Sequence, residues 1–100
     1  MTVLRSHLFI YGRVQGVFFR QSTFELARRY NLTGYVRNRR NGSVEAFFEG
    51  SDDNVNQMIE WCHSGPSQAS VQGVEVVSTE TFSDSNFTKL YQSFSIESTL

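Results

Sequence analysis

The sequence predicts an α+β two-layer sandwich, with two helices packed on one face of an antiparallel sheet. Three observations carry this expectation. Strand-like segments recur at 7–11, 34–38, 43–49, 71–81 and 93–97, and where the period is clearest their side chains alternate between two faces. Two other stretches, 19–30 and 55–62, place their apolar residues at helical spacing. The order is therefore β-α-β-β-α-β plus a short terminal strand. Two helices with one apolar stripe each cannot cover both faces of a sheet, so they should share one.

The first strand alternates modestly, with Leu8 and Ile10 on one face and His7, Phe9 and Tyr11 on the other. A loop with glycines at 12 and 16 follows. Phe19, Thr23, Leu26, Ala27 and Tyr30 then form one helical stripe. Arg28 and Arg29 fall in its last turn, where cations suit the helix dipole, and Asn31 ends it. Gly34 to Asn38 is the second strand. Asn41-Gly42 predicts a type I′ hairpin turn, which wants φ > 0 at both positions. In the return strand, Ser43 to Glu49, Val44, Ala46 and Phe48 face one way. Glu45, Phe47 and Glu49 face the other, expected to be the exposed side, where the two carboxylates can pair with Arg side chains.

Ser51 is the expected cap of the second helix, with Asp52 and Asp53 in its favourable first turn. Val55, Met58, Ile59 and Cys62 are its buried stripe, and Ser64-Gly65-Pro66 stops it. Val71 to Thr81 reads as the fourth strand, with Val74 and Val76 on one face. Residues 83–90 read as a Ser-rich loop, and Ser93 to Glu97 as a last strand with Phe94 and Ile96 inward. The first strand, first helix and second strand make a split β-α-β unit with the third strand between, a ferredoxin-like arrangement. That puts the glycine loop at one end of the sheet.

One hundred residues suit a single domain, 1–100, able to bury a core without staples. A net charge of −1 argues against a partner held mainly by charge, such as bulk nucleic acid or an anionic membrane. The single Cys allows no internal disulfide and fits a reducing compartment. Residues 1–7 hold no long apolar stretch and no run approaches membrane-spanning length. The expectation is a soluble, cytoplasmic monomer. Without a secretory signal, the Asn-x-Ser/Thr triplets at Asn31, Asn41 and Asn86 read as chance matches.

The candidate chemistry lies in the glycine loop. A turn between a strand and a helix aims free N–H groups at one spot, and the helix N-terminus adds positive charge. Such a site takes an anion, most often a phosphate. Arg20, at the helix start, can add a bidentate grip. The same residues also suit a plain strand-to-helix turn with an exposed Arg, and from chemistry alone both readings stand. The loop is neither a Walker A loop nor a Rossmann fingerprint, because the residues those motifs need are absent.

Asn38, just before the hairpin, reads locally as a turn residue, although its amide could also hold a water against an electrophile. Arg37, Arg39 and Arg40 read as a solvated surface that raises the local anion concentration. Cys62 belongs to an apolar stripe and lacks a Cys-x5-Arg loop, so it reads as core. Trp61 beside it reads as packing. His7 and His63 are too few and too far apart for a metal site, and His63 suits a helix C-terminus.

Taken together, the blocks resemble a known family. Gly12-Arg13-Val14-Gln15-Gly16-Val17-Phe18-Phe19-Arg20 is similar to the first signature of the acylphosphatases. Gly34-Tyr35-Val36-Arg37-Asn38, with Asn41-Gly42-Ser43-Val44-Glu45, is similar to the second, and Gly65-Pro66 leading to Ala69 and Val71 resembles the family's turn after the second helix. The resemblance spans roughly residues 6 to 97. It implies the two-helix sandwich reached above and hydrolysis of the carboxyl-phosphate bond of small acyl phosphates, releasing inorganic phosphate, with no metal and no cofactor. It also implies that Arg20 binds phosphate with the amides of Gln15, Gly16, Val17, Phe18 and Phe19, and that Asn38 positions the attacking water.

Two other readings remain. Ferredoxin-like sheets also bind RNA through exposed aromatics, and Phe47 and Tyr11 could serve so. The near-neutral charge and the lack of a Lys/Arg-Gly-Phe/Tyr pattern on the third strand weigh against this. A regulatory domain could also keep the phosphate cradle to sense phosphate or acyl phosphate without turnover.

Overall fold

Alternation along the strands sorts the side chains onto two different surfaces. In the computed structural model, which describes residues 1–100, five strands form one sheet. They are β1 (Thr2–Arg13), β2 (Thr33–Asn38), β3 (Val44–Ser51), β4 (Ser70–Ser83) and β5 (Phe94–Ile96). The helices are α1 (Phe19–Arg29) and α2 (Asp52–Cys62), and a 3-10 turn spans Asp84–Asn86. The sheet order is β4-β1-β3-β2-β5. β3 lies between β1 and β2 and is antiparallel to both, as the split β-α-β unit requires. β5 adds a parallel edge beside β2.

Leu8 and Ile10 of β1, Val36 of β2 and Val44, Ala46 and Phe48 of β3 are fully buried beneath the helices. They meet Phe19, Thr23 and Ala27 of α1 and Val55, Met58 and Cys62 of α2. Burying each large aliphatic or aromatic side chain contributes about 1.5–3 kcal/mol. Phe94 enters the same core, stacked on Phe48 at 5.7 Å between centroids.

Several local expectations are corrected. Only Gly42 in the β2–β3 hairpin takes positive φ (94°), and Asn41 does not, so the turn is not type I′. The chain instead closes a turn from Gly42 N–H to Arg39 O, while Asn41 Oδ1 accepts from the Ser43 N–H and hydroxyl. One left-handed glycine after such a turn suits a three-residue loop. The Ser51 side chain makes no capping bond; the Asp52 carboxylate takes the Asp53 N–H instead. Val74 and Val76 do share a face, opposite Ile10 and Leu8, but Val76 remains 45% exposed. β4 is an edge strand, and the helices pack over β1, β3, β2 and β5 rather than over it. Ile96 likewise points to the helix side yet stays 39% exposed, because it lies toward the end of the sheet where α1 begins.

The larger correction concerns Glu45 and Glu49, which are buried rather than exposed. Glu49 accepts from Arg5 Nε (3.0 Å), the Thr33 hydroxyl (2.8 Å) and the N–H groups of Leu90 and Tyr91 (3.0 and 3.2 Å). Glu45 accepts from Arg37 Nε (2.8 Å), the Tyr35 hydroxyl (2.8 Å) and His7 Nε2 (2.6 Å). Their pairing with Arg side chains was expected; their burial follows from Tyr35, Phe47, Tyr91 and His7, whose rings pack over this face. Burial opposes the ionised form of Glu45, but the hydrogen bonds from Arg37, His7 and Tyr35 outweigh it and hold the carboxyl below the ordinary Glu value.

The native protein therefore takes up this proton less readily than the unfolded chain. The stability Glu45 contributes is complete above the ordinary Glu pKa and is lost as pH falls through the lower folded value. Thermal unfolding followed from about pH 6 to pH 2 is expected to show a flatter decline of Tm in Glu45→Gln than in the unsubstituted protein. Parallel curves would remove Glu45 from the acid response.

Candidate active site

β1 and β2 run in the same direction, so the residues after β1 and the last residue of β2 meet at one end of the sheet. α1 begins there too. Together they form a cleft of about 400 Å³. Gly16, Phe18, Phe19, Arg20 and Asn38 all line it, as do Val14, Gln21 and Ile96, which the sequence reading missed. Gln21 could have been found from its place beside Arg20 in the first helical turn. Ile96 gives no local signal, since nothing near it in sequence belongs to the cleft.

The loop backbone is curled. Gly12 and Gly16 take φ of 121° and 73°, and Phe18 takes 64°. A Cβ on Gly12 would collide with the Ser70 carbonyl, so the tight exit from β1 demands glycine. No carbonyl or capping side chain accepts from the N–H groups of residues 15–19, and the first bond of α1 runs from Ser22 N–H to Phe18 O. Five successive free donors at a helix N-terminus can hold an anion; of these residues Gly16, Phe18 and Phe19 line the cleft, and Gln15 and Val17 do not. The side chains of Val17 and Phe19 are buried, so only the main chain of these residues is available to an anion. Arg20 makes no ion pair, unlike Arg5 and Arg37, and its guanidinium is free to meet an anion in the cleft.

Gln15 does something the sequence did not suggest. Its side-chain amide donates to the carbonyls of Arg39 (2.7 Å) and Ser43 (2.8 Å), tying the loop to both sides of the hairpin. The C-terminal residues hold the same region from the other edge. Glu97 N–H donates to Val36 O, Leu100 N–H to Asn38 O and Arg40 N–H to Leu100 O. Asn38 thus sits in a backbone clamped on both flanks. Its Oδ1 is buried and has no hydrogen-bond partner within the protein. An acceptor left so costs about 1–3 kcal/mol unless another molecule supplies a donor.

Residues set aside by the sequence reading lie elsewhere. Cys62 is fully buried in the helix–sheet core, where burial pushes its thiol far above the ordinary value. His63 Nδ1 meets the Ile59 carbonyl at 3.0 Å near the end of α2, and Trp61 packs on Phe19 at 5.3 Å. Arg37 pairs with Glu45, and Arg39 lies over the Phe9 ring. Phe47 is stacked on Tyr35, with His7 and Tyr91 against it.

The sequence profile of the Acylphosphatase family matches residues 6–96. The chain belongs to the acylphosphatase family. It is 54% identical to an acylphosphatase of Trichormus variabilis over 74 residues, 74% of this chain and 73% of that protein. It is also 54% identical to an acylphosphatase of Chloroflexus aurantiacus over 76% of this chain and 83% of that protein. An acylphosphatase structure from Coxiella burnetii superposes with a TM-score of 0.80 at 34% identity, covering 95% of this chain and 93% of the other. The protein is accordingly an enzyme of the acylphosphatase class, with a small acyl phosphate as substrate and phosphate as product.

In this acylphosphatase fold the hairpin carrying Asn38 depends on the Gln15 amide. Gln15→Ala removes one of the two hydrogen bonds that each carbonyl accepts, leaving Arg39 O with the Gly42 N–H and Ser43 O with the Arg39 N–H, and is expected to lower stability by about 1–2 kcal/mol in urea unfolding. A loss of less than about 0.5 kcal/mol would show that solvent replaces the amide freely.

Proposed function

We propose that Arg20, together with the main-chain N–H groups of Gln15, Gly16, Val17, Phe18 and Phe19, holds the phosphoryl group of an acyl phosphate while Asn38 directs a water at phosphorus. The water oxygen forms a bond to phosphorus as the bond to the acyl oxygen breaks, and the carboxylate departs with the electron pair. The water's proton passes to a phosphate oxygen. The products are a free carboxylate and inorganic phosphate.

The observation that carries this reading is the buried, unpartnered Oδ1 of Asn38, a residue that lines the same cleft as Arg20. An amide oxygen with no donor of its own accepts from a water O–H and turns the water's lone pair away from itself. The free amides and Arg20 can stabilise charge on the equatorial oxygens, the main demand of phosphoryl transfer. A carboxylate leaving group, whose conjugate acid has a pKa of about 4, needs no general acid. The site residues include no carboxylate or imidazole base, which suits a substrate that accepts the proton itself.

We propose further that residues 1–100 act as one catalytic domain, as a monomer and without metal. Arg20 and Asn38 come from the same chain, so the site needs no second subunit. A cytoplasmic setting suits the one unpaired, buried Cys62. The sensing-domain alternative shares the cradle but gives Asn38 Oδ1 no task.

Hydrolysis of benzoyl phosphate in excess chelator tests the reading. Turnover inhibited by inorganic phosphate is expected. Arg20→Lys keeps the charge but loses the planar fork, and both phosphate affinity and rate should fall. Asn38→Ala should reduce kcat by about 100-fold or more while leaving the phosphate inhibition constant within about twofold. Lost phosphate affinity in Asn38→Ala would reassign that residue to the cradle, and phosphate binding without turnover in the unsubstituted protein would favour the sensing domain.

Leaving-group chemistry supplies a separate check. A simple alkyl phosphate must expel an alkoxide, and its kcat/KM is expected to be lower by about 1,000-fold or more. Comparable rates on the two substrates would overturn the acid-free mechanism.

A further inference from the structure

Hydrolysis at this cleft needs two parts of the chain to keep one spacing. The loop after β1 carries the free amides and leads to Arg20, while the end of β2 carries Asn38. The strand ladder reaches only part of the way. The pairing of β1 with β3 ends at Ile10 and Val44, and the pairing of β2 with β3 ends at Asn38 and the same Val44. Beyond this point the loop and the hairpin share no main-chain hydrogen bond. Their hydrogen-bonding link is the Gln15 side chain, whose Nε2 donates to Arg39 O at 2.7 Å and to Ser43 O at 2.8 Å.

The two carbonyls flank the neck of the hairpin. One comes directly after Asn38, and the other directly before Val44, the partner of Asn38 across the strands. A single planar NH2 group has two N–H donors and serves both at once. Each carbonyl already accepts from within the hairpin, Arg39 O from the Gly42 N–H and Ser43 O from the Arg39 N–H. The amide therefore adds to a turn that closes without it. The backbone then turns at Gly16, with φ 73°, and Gly16 lines the cleft. Gln15 is not among the lining residues, so its side chain acts on the cleft through the hairpin and not on a bound molecule.

We infer that Gln15 is a positioning residue: its side-chain amide sets the distance between the phosphate held by the loop and the water held by Asn38. The inference rests on the proposed hydrolysis at Arg20 and Asn38 and adds the group that aligns them. A reacting group displaced by about 1 Å can cost about 100-fold in rate. Such geometry is kept only where surrounding hydrogen bonds lock the groups that set it. The residues after β5 lock the hairpin from one flank, with Leu100 N–H on Asn38 O and Arg40 N–H on Leu100 O. The Gln15 amide locks it to the loop from the other. Loss of the amide should leave the phosphate held and the water misdirected.

Gln15→Met keeps the length of the side chain and every main-chain N–H of the loop, and removes both donors. The test is a double-mutant cycle with Asn38→Ala, reading kcat for benzoyl phosphate and the phosphate inhibition constant in each folded variant. Gln15→Met is expected to lower kcat by about tenfold or more and to leave phosphate inhibition within about twofold. In the Asn38→Ala background the same substitution should change kcat by less than about twofold, because no water-directing amide is left to misplace. A purely structural role would lower kcat in both backgrounds alike. Gln15→Asn, which keeps the amide but shortens its reach by one methylene, is the second variant and should give the same pattern. An unchanged kcat in both variants, an equal loss in the Asn38→Ala background, or weakened phosphate inhibition would overturn the positioning role and leave the hydrolysis standing. Absence of turnover in the unsubstituted protein, or full kcat in Asn38→Ala, would overturn the hydrolytic reading at Asn38, and this inference with it.

Discussion

β4 and β5 lie at opposite edges of the sheet, so the chain between them must pass from one edge to the other. Glu49, in the middle strand, is where that passage is held. Its carboxylate takes the N–H groups of Leu90 and Tyr91 from the crossing segment, the Thr33 hydroxyl from β2 and the Arg5 guanidinium from β1. A buried carboxylate is costly unless its acceptor sites are filled, and here several donors fill them. Arg5 extends the attachment through the Thr88 carbonyl and lies over the Phe82 and Phe87 rings. Tyr91 then lands on Tyr35 and Phe47. The Ser-rich segment is thus tied down at its far end, and β5 follows from there along β2.

That placement reaches the site. β5 carries Ile96 into the cleft, and the residues after it bond to Val36, Asn38 and Arg40 along the open edge of β2. From the other side, Gln15 bonds to Arg39 and Ser43. The cleft end of the sheet is therefore braced from both directions, by main-chain hydrogen bonds on one flank and by the Gln15 side-chain amide on the other. Within this brace stand the groups the fold leaves unsatisfied: the free amides of residues 15–19, the unpaired Arg20 and the lone Asn38 oxygen. Such groups lower stability, and a rigid surround is what lets them keep their positions. The opposite face of the sheet shows the contrary pattern, with Glu45 and Glu49 each surrounded by donors.

Most of the fold was legible in the sequence. Leu8 and Ile10, Val44, Ala46 and Phe48, and the stripe Val55, Met58 and Cys62 follow directly from strand and helix periods, which depend only on local geometry. The error at Glu45 and Glu49 has a non-local cause, and the error at the hairpin a local one. Glu45 and Glu49 alternate onto the outer face as expected, but what covers that face comes from Tyr91 and other strands. Asn41-Gly42 signals a turn correctly, yet the Asn41 side chain bonds to Ser43 and the backbone stays out of the left-handed region at Asn41.

The sequence by itself determined the element order, the core faces and the two motifs that hold Arg20 and Asn38, because spacing and residue type are local properties. The tertiary structure alone decided which polar groups find partners. Glu49 and Leu90 are 41 residues apart, and only the crossing segment joins them. Asn38 Oδ1 lacks a partner, and Ile96 faces the cleft, only because β5, the hairpin and the start of α1 meet at one end of the sheet. Burial and hydrogen-bond satisfaction are properties of assembled neighbours, and no window of sequence contains those neighbours.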